Sequence, residues 1–145
     1  MAPTSAVFGL SKCEKAEKQI TNEEKVGVLL HKKYAEQRKI VLGLSTPTFN
    51  NLNTAMSWLP DVYDSDLRIY NLVNKNSSCF SSKQVARARS EARAAKKNIS
   101  DIATVRKLLI NNANTGQKSV DPELVKVLEG LYPNYYSFLR NKKLN

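Results

Sequence analysis

The sequence predicts an all-α fold: a helical bundle of about four core helices preceded by an N-terminal helical arm. Three observations predict it. Apolar residues recur at three- and four-residue steps in segment after segment, the spacing of one helix face. Helix-start signals, capping boxes and Pro in a first turn, stand ahead of those segments. No stretch sustains the period-two alternation of a half-buried strand. The expected organisation is one domain, with residues 1–44 as arm and basic helix and residues 45–145 as the bundle core.

The first nine residues are small and mixed and read as an arm. Ser11 with Glu14 is a capping box opening a short charged helix to Ile20, whose stripe of Leu10, Cys13, Ala16 and Ile20 is thin. Thr21 with Glu24 is a second box, so a new helix is expected from there to about Leu42, with Gly43 as C-cap. Val26, Leu30, Tyr34, Gln37, Val41 and Leu44 form its inner stripe. Lys32, Lys33, Arg38 and Lys39 lie away from that stripe as a basic face.

Thr46 followed by Pro47 predicts an N-cap with Pro at the first helical position. Phe49, Leu52, Met56 and Leu59 repeat at helical spacing, and Pro60 is the expected stop. The outer face there, Asn50, Asn51, Asn53, Thr54 and Ser57, is polar and uncharged. Asp61, Asp64 and Asp66 precede a helix carrying Leu67, Tyr70 and Val73. Residues 74–82 read as a polar hinge. Beyond the basic stretch described next, Ile102, Val105, Leu108 and Leu109 make a further stripe, and Gly116 marks a loop. Asp121-Pro122 restarts a helix that Tyr132-Pro133 ends, and a last element at 134–141 carries Tyr135, Tyr136 and Phe138 before a basic tail.

Residues 81–98, SSKQVARARSEARAAKKN, organise the chain. Ser81 with Gln84 is a capping box. Val85, Ala88, Ala92, Ala95 and Ile99 make a stripe of small residues that lets another helix approach closely. Lys83, Arg87, Arg89, Arg93, Lys96 and Lys97 spread over the opposite half of the wheel, with Glu91 the only acid there. The chain carries a formal net charge of +10. From Arg68 to Lys118 there are 11 basic and 2 acidic residues, a net of +9, so this interval carries nearly all of the excess. A cationic surface of that kind calls for an anionic partner, of which nucleic-acid phosphate is the commonest. Arg106, Lys107 and Lys118 extend it.

Catalysis finds no support. His31 is the one His and reads as a surface residue. There is no GxSxG, P-loop, GxGxxG or HExxH motif. The Asp61 cluster is explained by helix-dipole stabilisation without a hard metal ion. The expectation is therefore no enzyme, no metal, no cofactor and no small-molecule substrate. Two cysteines, Cys13 and Cys79, make neither a framework nor a cage. A single bridge is compatible with them, but free buried thiols are the reading taken. No apolar run has transmembrane length and no signal peptide is visible, which predicts an intracellular soluble product. Tyr132, Tyr135, Tyr136 and Phe138 lie near Arg140, Lys142 and Lys143 in sequence, yet core packing is their expected role. Contact with the phosphate backbone, independent of sequence, follows more directly than base stacking.

The order of elements resembles the coat (major capsid) proteins of filamentous archaeal viruses with linear double-stranded DNA, the rudivirus and lipothrixvirus type. The similar features are Ser45-Thr46-Pro47-Thr48 opening a helix, the basic Ala-rich stretch at 84–95, and DPELVKVLEGLYP at 121–133. The resemblance implies dimers, of one chain or with a homologous coat chain, that wrap the duplex in a helical polymer. It implies virion localisation and DNA held in an A-like form, with the basic helices and the arm towards it. One departure is the 14 Asn, a thermolabile residue that proteins of very hot hosts reduce. The competing expectation is a small all-α regulatory domain that binds nucleic acid or protein as a discrete dimer.

Overall fold

The computed structural model describes residues 11–116, 120–131 and 133. The expected arm at 1–9, Leu10, Lys118, Tyr132 and the aromatic element and basic tail after Pro133 lie outside the described residues. Among these residues five α-helices follow one another: α1 (Lys12–Leu42), α2 (Phe49–Met56), α3 (Leu59–Lys75), α4 (Ser82–Asn114) and α5 (Pro122–Gly130). A 3-10 turn, Ser77–Cys79, joins α3 to α4. Among the described residues there is no strand, and the all-α bundle stands as predicted.

The helix boundary expected at Thr21 does not exist. Thr21 donates its hydroxyl to the Glu17 carbonyl at 2.8 Å, the back-bond available to a Thr inside a helix. With that partner the second capping box is unused, and α1 runs on from the Ser11 cap, whose Oγ accepts from the Glu14 N–H at 3.2 Å. Gly43 is the C-cap, in right-handed backbone with φ −83°. The predicted inner stripe is corrected as well. Ile20, Gly27, Tyr34 and Val41 are buried, one every seven residues, whereas Val26 and Leu44 are 43% and 40% exposed. The same spacing recurs in α4, where Ala88, Ala95, Ile102 and Leu109 are buried. A strict seven-residue repeat keeps one seam in register along a long helix, as in coiled coils.

Two short-range signals shift by a few residues. The N-cap of α2 is Thr48, not Thr46: its Oγ1 accepts from the Asn51 N–H at 3.0 Å, and Asn51 Oδ1 accepts from the Thr48 N–H at 2.9 Å. Pro60 does not stop a helix but sits in the first turn of α3, where its missing N–H has no intrahelical acceptor to lose. The Ser81–Gln84 capping box closes in both directions, and α4 continues without a break to Asn114. Gly116 turns the chain with φ +80°, a conformation that suits Gly. Asp121 caps α5 as expected, its carboxylate accepting from the Glu123 N–H at 3.0 Å.

Helices α2 and α3 form a broken middle rod that runs antiparallel to both long helices. On one flank, Arg68 of α3 pairs with Glu23 of α1 at 2.8 Å, and Ser65 donates to the Glu23 carbonyl at 3.2 Å. A Cβ on Gly27 would come within 2.7 Å of Ser65 Oγ, so α1 and α3 approach closely there. On the other flank, Arg89 of α4 meets Tyr70 of α3, and Arg106 meets Asn53 of α2 at 2.8 Å. The core is graded along the rod. Ile20, Ile69, Val73 and Ala88 form a narrow cluster at one end. Tyr34, Phe49, Leu52, Met56, Leu59, Ile102, Leu109 and Leu128 are among those filling a wider cluster towards the other.

Cys13 and Cys79 are joined by a disulfide, with Cα atoms 5.4 Å apart and a sequence separation of 66, so the expectation of free thiols is wrong. The antiparallel pairing of α1 with α3 sets the first turn of α1 beside the end of α3. Sequence spacing alone carries no trace of that proximity.

Candidate nucleic-acid interface

Lys83, Arg87, Arg89, Arg93, Lys96 and Lys97 are all exposed on α4. They are so because Ala88, Ala92 and Ala95, each no more than 3% exposed, turn inward against the middle rod as the spacing predicted. The six divide into two sets. Arg89, Arg93 and Lys96 line a groove of about 390 Å³ whose other wall is Leu67, Tyr70 and Asn71 of α3, with Ala92 at its base. Arg89 donates from Nε to the Tyr70 hydroxyl at 3.4 Å. Among the described residues no carboxylate pairs with these three cations. Lys83, Arg87 and Lys97 lie round the helix from the groove, and Lys97 pairs with Asp101 at 2.7 Å.

The remaining expected contacts scatter. Lys107 is exposed on the same helix, but Arg106 is half-buried and donates to Asn53 Oδ1. Lys32, Lys33 and Lys39 are exposed on α1, separated from α4 by the middle rod, so they do not join its face. Arg38 is half-buried and holds the end of α5: its Nε donates to the Leu128 carbonyl at 3.3 Å and its Nη2 to the Glu129 carbonyl at 2.6 Å. Tyr34 donates to the Leu131 carbonyl and His31 Nε2 to the Pro133 carbonyl, the latter at 2.6 Å. His31 is thus a half-buried tether and not the surface residue expected from sequence. On the outside of α1, Val26, Leu29 and Ile40 are exposed on one side of the helix, with Leu44 just beyond its end.

The flank of α4 away from the groove has the opposite character. Asp66, Glu91, Tyr63 and Asn98 surround a pocket of about 190 Å³. Burial first, and then the charge of Glu91, push the Asp66 carboxyl up to about 7. Burial, and then Asp66, raise the Tyr63 phenol above its ordinary value. Among the described residues no group of three or more His, Cys, Asp or Glu is placed to hold a metal ion. In the same residues no helix is long and apolar enough to cross a membrane.

Sequence reasoning missed the α3 wall of the groove. Tyr70 stands in an apolar repeat and reads there as core, and the only signal against that reading is the adjacent polar Asn71. No protein-family model, no curated protein and no solved structure matches this chain.

Proposed function

We propose that the protein coats double-stranded DNA as a structural subunit of a filamentous particle, binding the phosphate backbone without sequence specificity. The observation that carries this reading is the six exposed cations on α4, a helix whose opposite side is a closely packed small-residue seam. A rigid basic rod of 33 residues, about 50 Å long, presents charge over several phosphates at once. Backbone contacts position a protein on a duplex and carry no sequence information by themselves. The resemblance of element order to coat proteins of filamentous archaeal viruses supports the same reading. The apolar residues left exposed on α1 give copies of the chain something to pack with. The Cys13–Cys79 bridge fits a particle that persists outside a reducing cytosol, and also suits intracellular proteins of hyperthermophilic archaea.

The test is electron microscopy of the protein with linear duplexes of unrelated sequence, joined to binding measurements across a salt series and circular dichroism of the DNA. Continuous filaments, affinity independent of sequence and a shift towards the A-form spectrum are expected. Discrete particles of dimer size on DNA that stays B-form would replace the coat with a small regulatory domain.

A further inference from the structure

Resting on the reading of α4 as a phosphate-binding helix, we infer that one strand of the duplex seats in the α3–α4 groove, held by Arg89, Arg93 and Lys96 and not by the whole basic face. These three cations share a concave site, and among the described residues none of them has a carboxylate partner. The other three lie round the helix towards Glu91 and Asp101, and Lys97 is already paired with Asp101. A phosphodiester in the groove meets cations from α4 and neutral polar groups from α3; on the far flank it meets two acidic side chains, Asp66 and Glu91.

The geometry also gives Tyr70 a task. Its hydroxyl accepts from Arg89 Nε at 3.4 Å, a bond that does not use the two Nη groups of that guanidinium. A guanidinium held in this way presents the fork that matches two phosphate oxygens. Residues 89 to 96 span about 10 Å of helix axis. That is the axial advance of about three phosphates on one strand.

Two triple variants of the full chain separate the sets: Arg89→Gln/Arg93→Gln/Lys96→Gln for the groove and Lys83→Gln/Arg87→Gln/Lys97→Gln for the rest. Gln keeps the helix, and circular dichroism of each variant checks this. The readout is the slope of log affinity against log salt for a duplex of mixed sequence. The groove variant is expected to flatten it by about two to three units, and the other variant by less than about one. Tyr70→Phe is expected to weaken binding roughly threefold with no change in slope, since no charge is lost. Equal flattening by the two triple variants overturns the groove and leaves backbone binding intact. A steep wild-type slope that neither variant alters overturns the assignment to α4. A wild-type protein with no salt-dependent affinity for duplex, or one that prefers acidic peptide to duplex, overturns the proposed function and the groove with it.

Discussion

Asp66 is a half-buried carboxyl beside Glu91, and its environment opposes ionisation in the folded state. In the unfolded chain the same group ionises near 3.8, against about 7 when folded. Between those values the folded state holds the proton more tightly, so unfolding free energy falls as pH rises through this window. Below it both states are protonated and nothing is lost; above it the loss is complete. Asp66→Asn is therefore expected to stabilise the protein at pH 8 by on the order of 2 kcal/mol and to change little at pH 4. Thermal melts at the two pH values decide it, and an equal shift at both would refute the assignment. Gly27 carries the second residue-scale argument. A Gly inside a helix ordinarily weakens it, but the close approach of Ser65 makes the missing side chain of Gly27 a packing requirement. Gly27→Leu is expected to cost at least about 2 kcal/mol through overpacking, measured by denaturant unfolding.

At the scale of the element, local signals were legible where one side chain and one backbone group settle the matter. The caps at Ser81 and Asp121 formed as read because their partners lie within three residues. The same local pattern misled at Thr21, where a carbonyl four residues back competes for the hydroxyl. The seven-residue seam of α1 was hidden because Gly27 fills one of its four positions and does not count as apolar in a periodicity. The exposed cations of α4 were legible as an excess of basic charge; the groove was not, because its second wall belongs to another helix. The clamp on α5 is likewise non-local, since His31, Tyr34 and Arg38 reach carbonyls some ninety or more residues later. It satisfies acceptors that a helix end leaves unpaired. Arg38→Met, which keeps the alkyl stem, is expected to speed amide exchange across α5 and to cost about 1–3 kcal/mol. Exchange in α3 serves as the internal control and should not change.

For the molecule as a whole, the two ends of the bundle are secured by different means. The wide end has a large apolar cluster and the α5 clamp. The narrow end has a small cluster and the disulfide. Closing a loop of this size in the unfolded chain is worth about 4 kcal/mol on the chain-entropy argument. Reduction, or Cys13→Ser/Cys79→Ser, is expected to lower the melting temperature by about 10 °C. An unchanged melting temperature would mean that the narrow end holds without the bridge.

The same bridge decides how the chain bears tension. A force applied at the two termini passes from Cys13 directly to Cys79, so α1, α2 and α3 sit inside a covalent bypass and feel no pull. In a single-molecule stretching experiment the oxidised protein is expected to yield only the contour outside the bypass. The 66-residue separation hides roughly 220 Å of extended chain, which should appear as added length once a reductant is present. A chain built in this way extends by α4 and α5 first, and keeps its α1–α3 layer shielded from the pull.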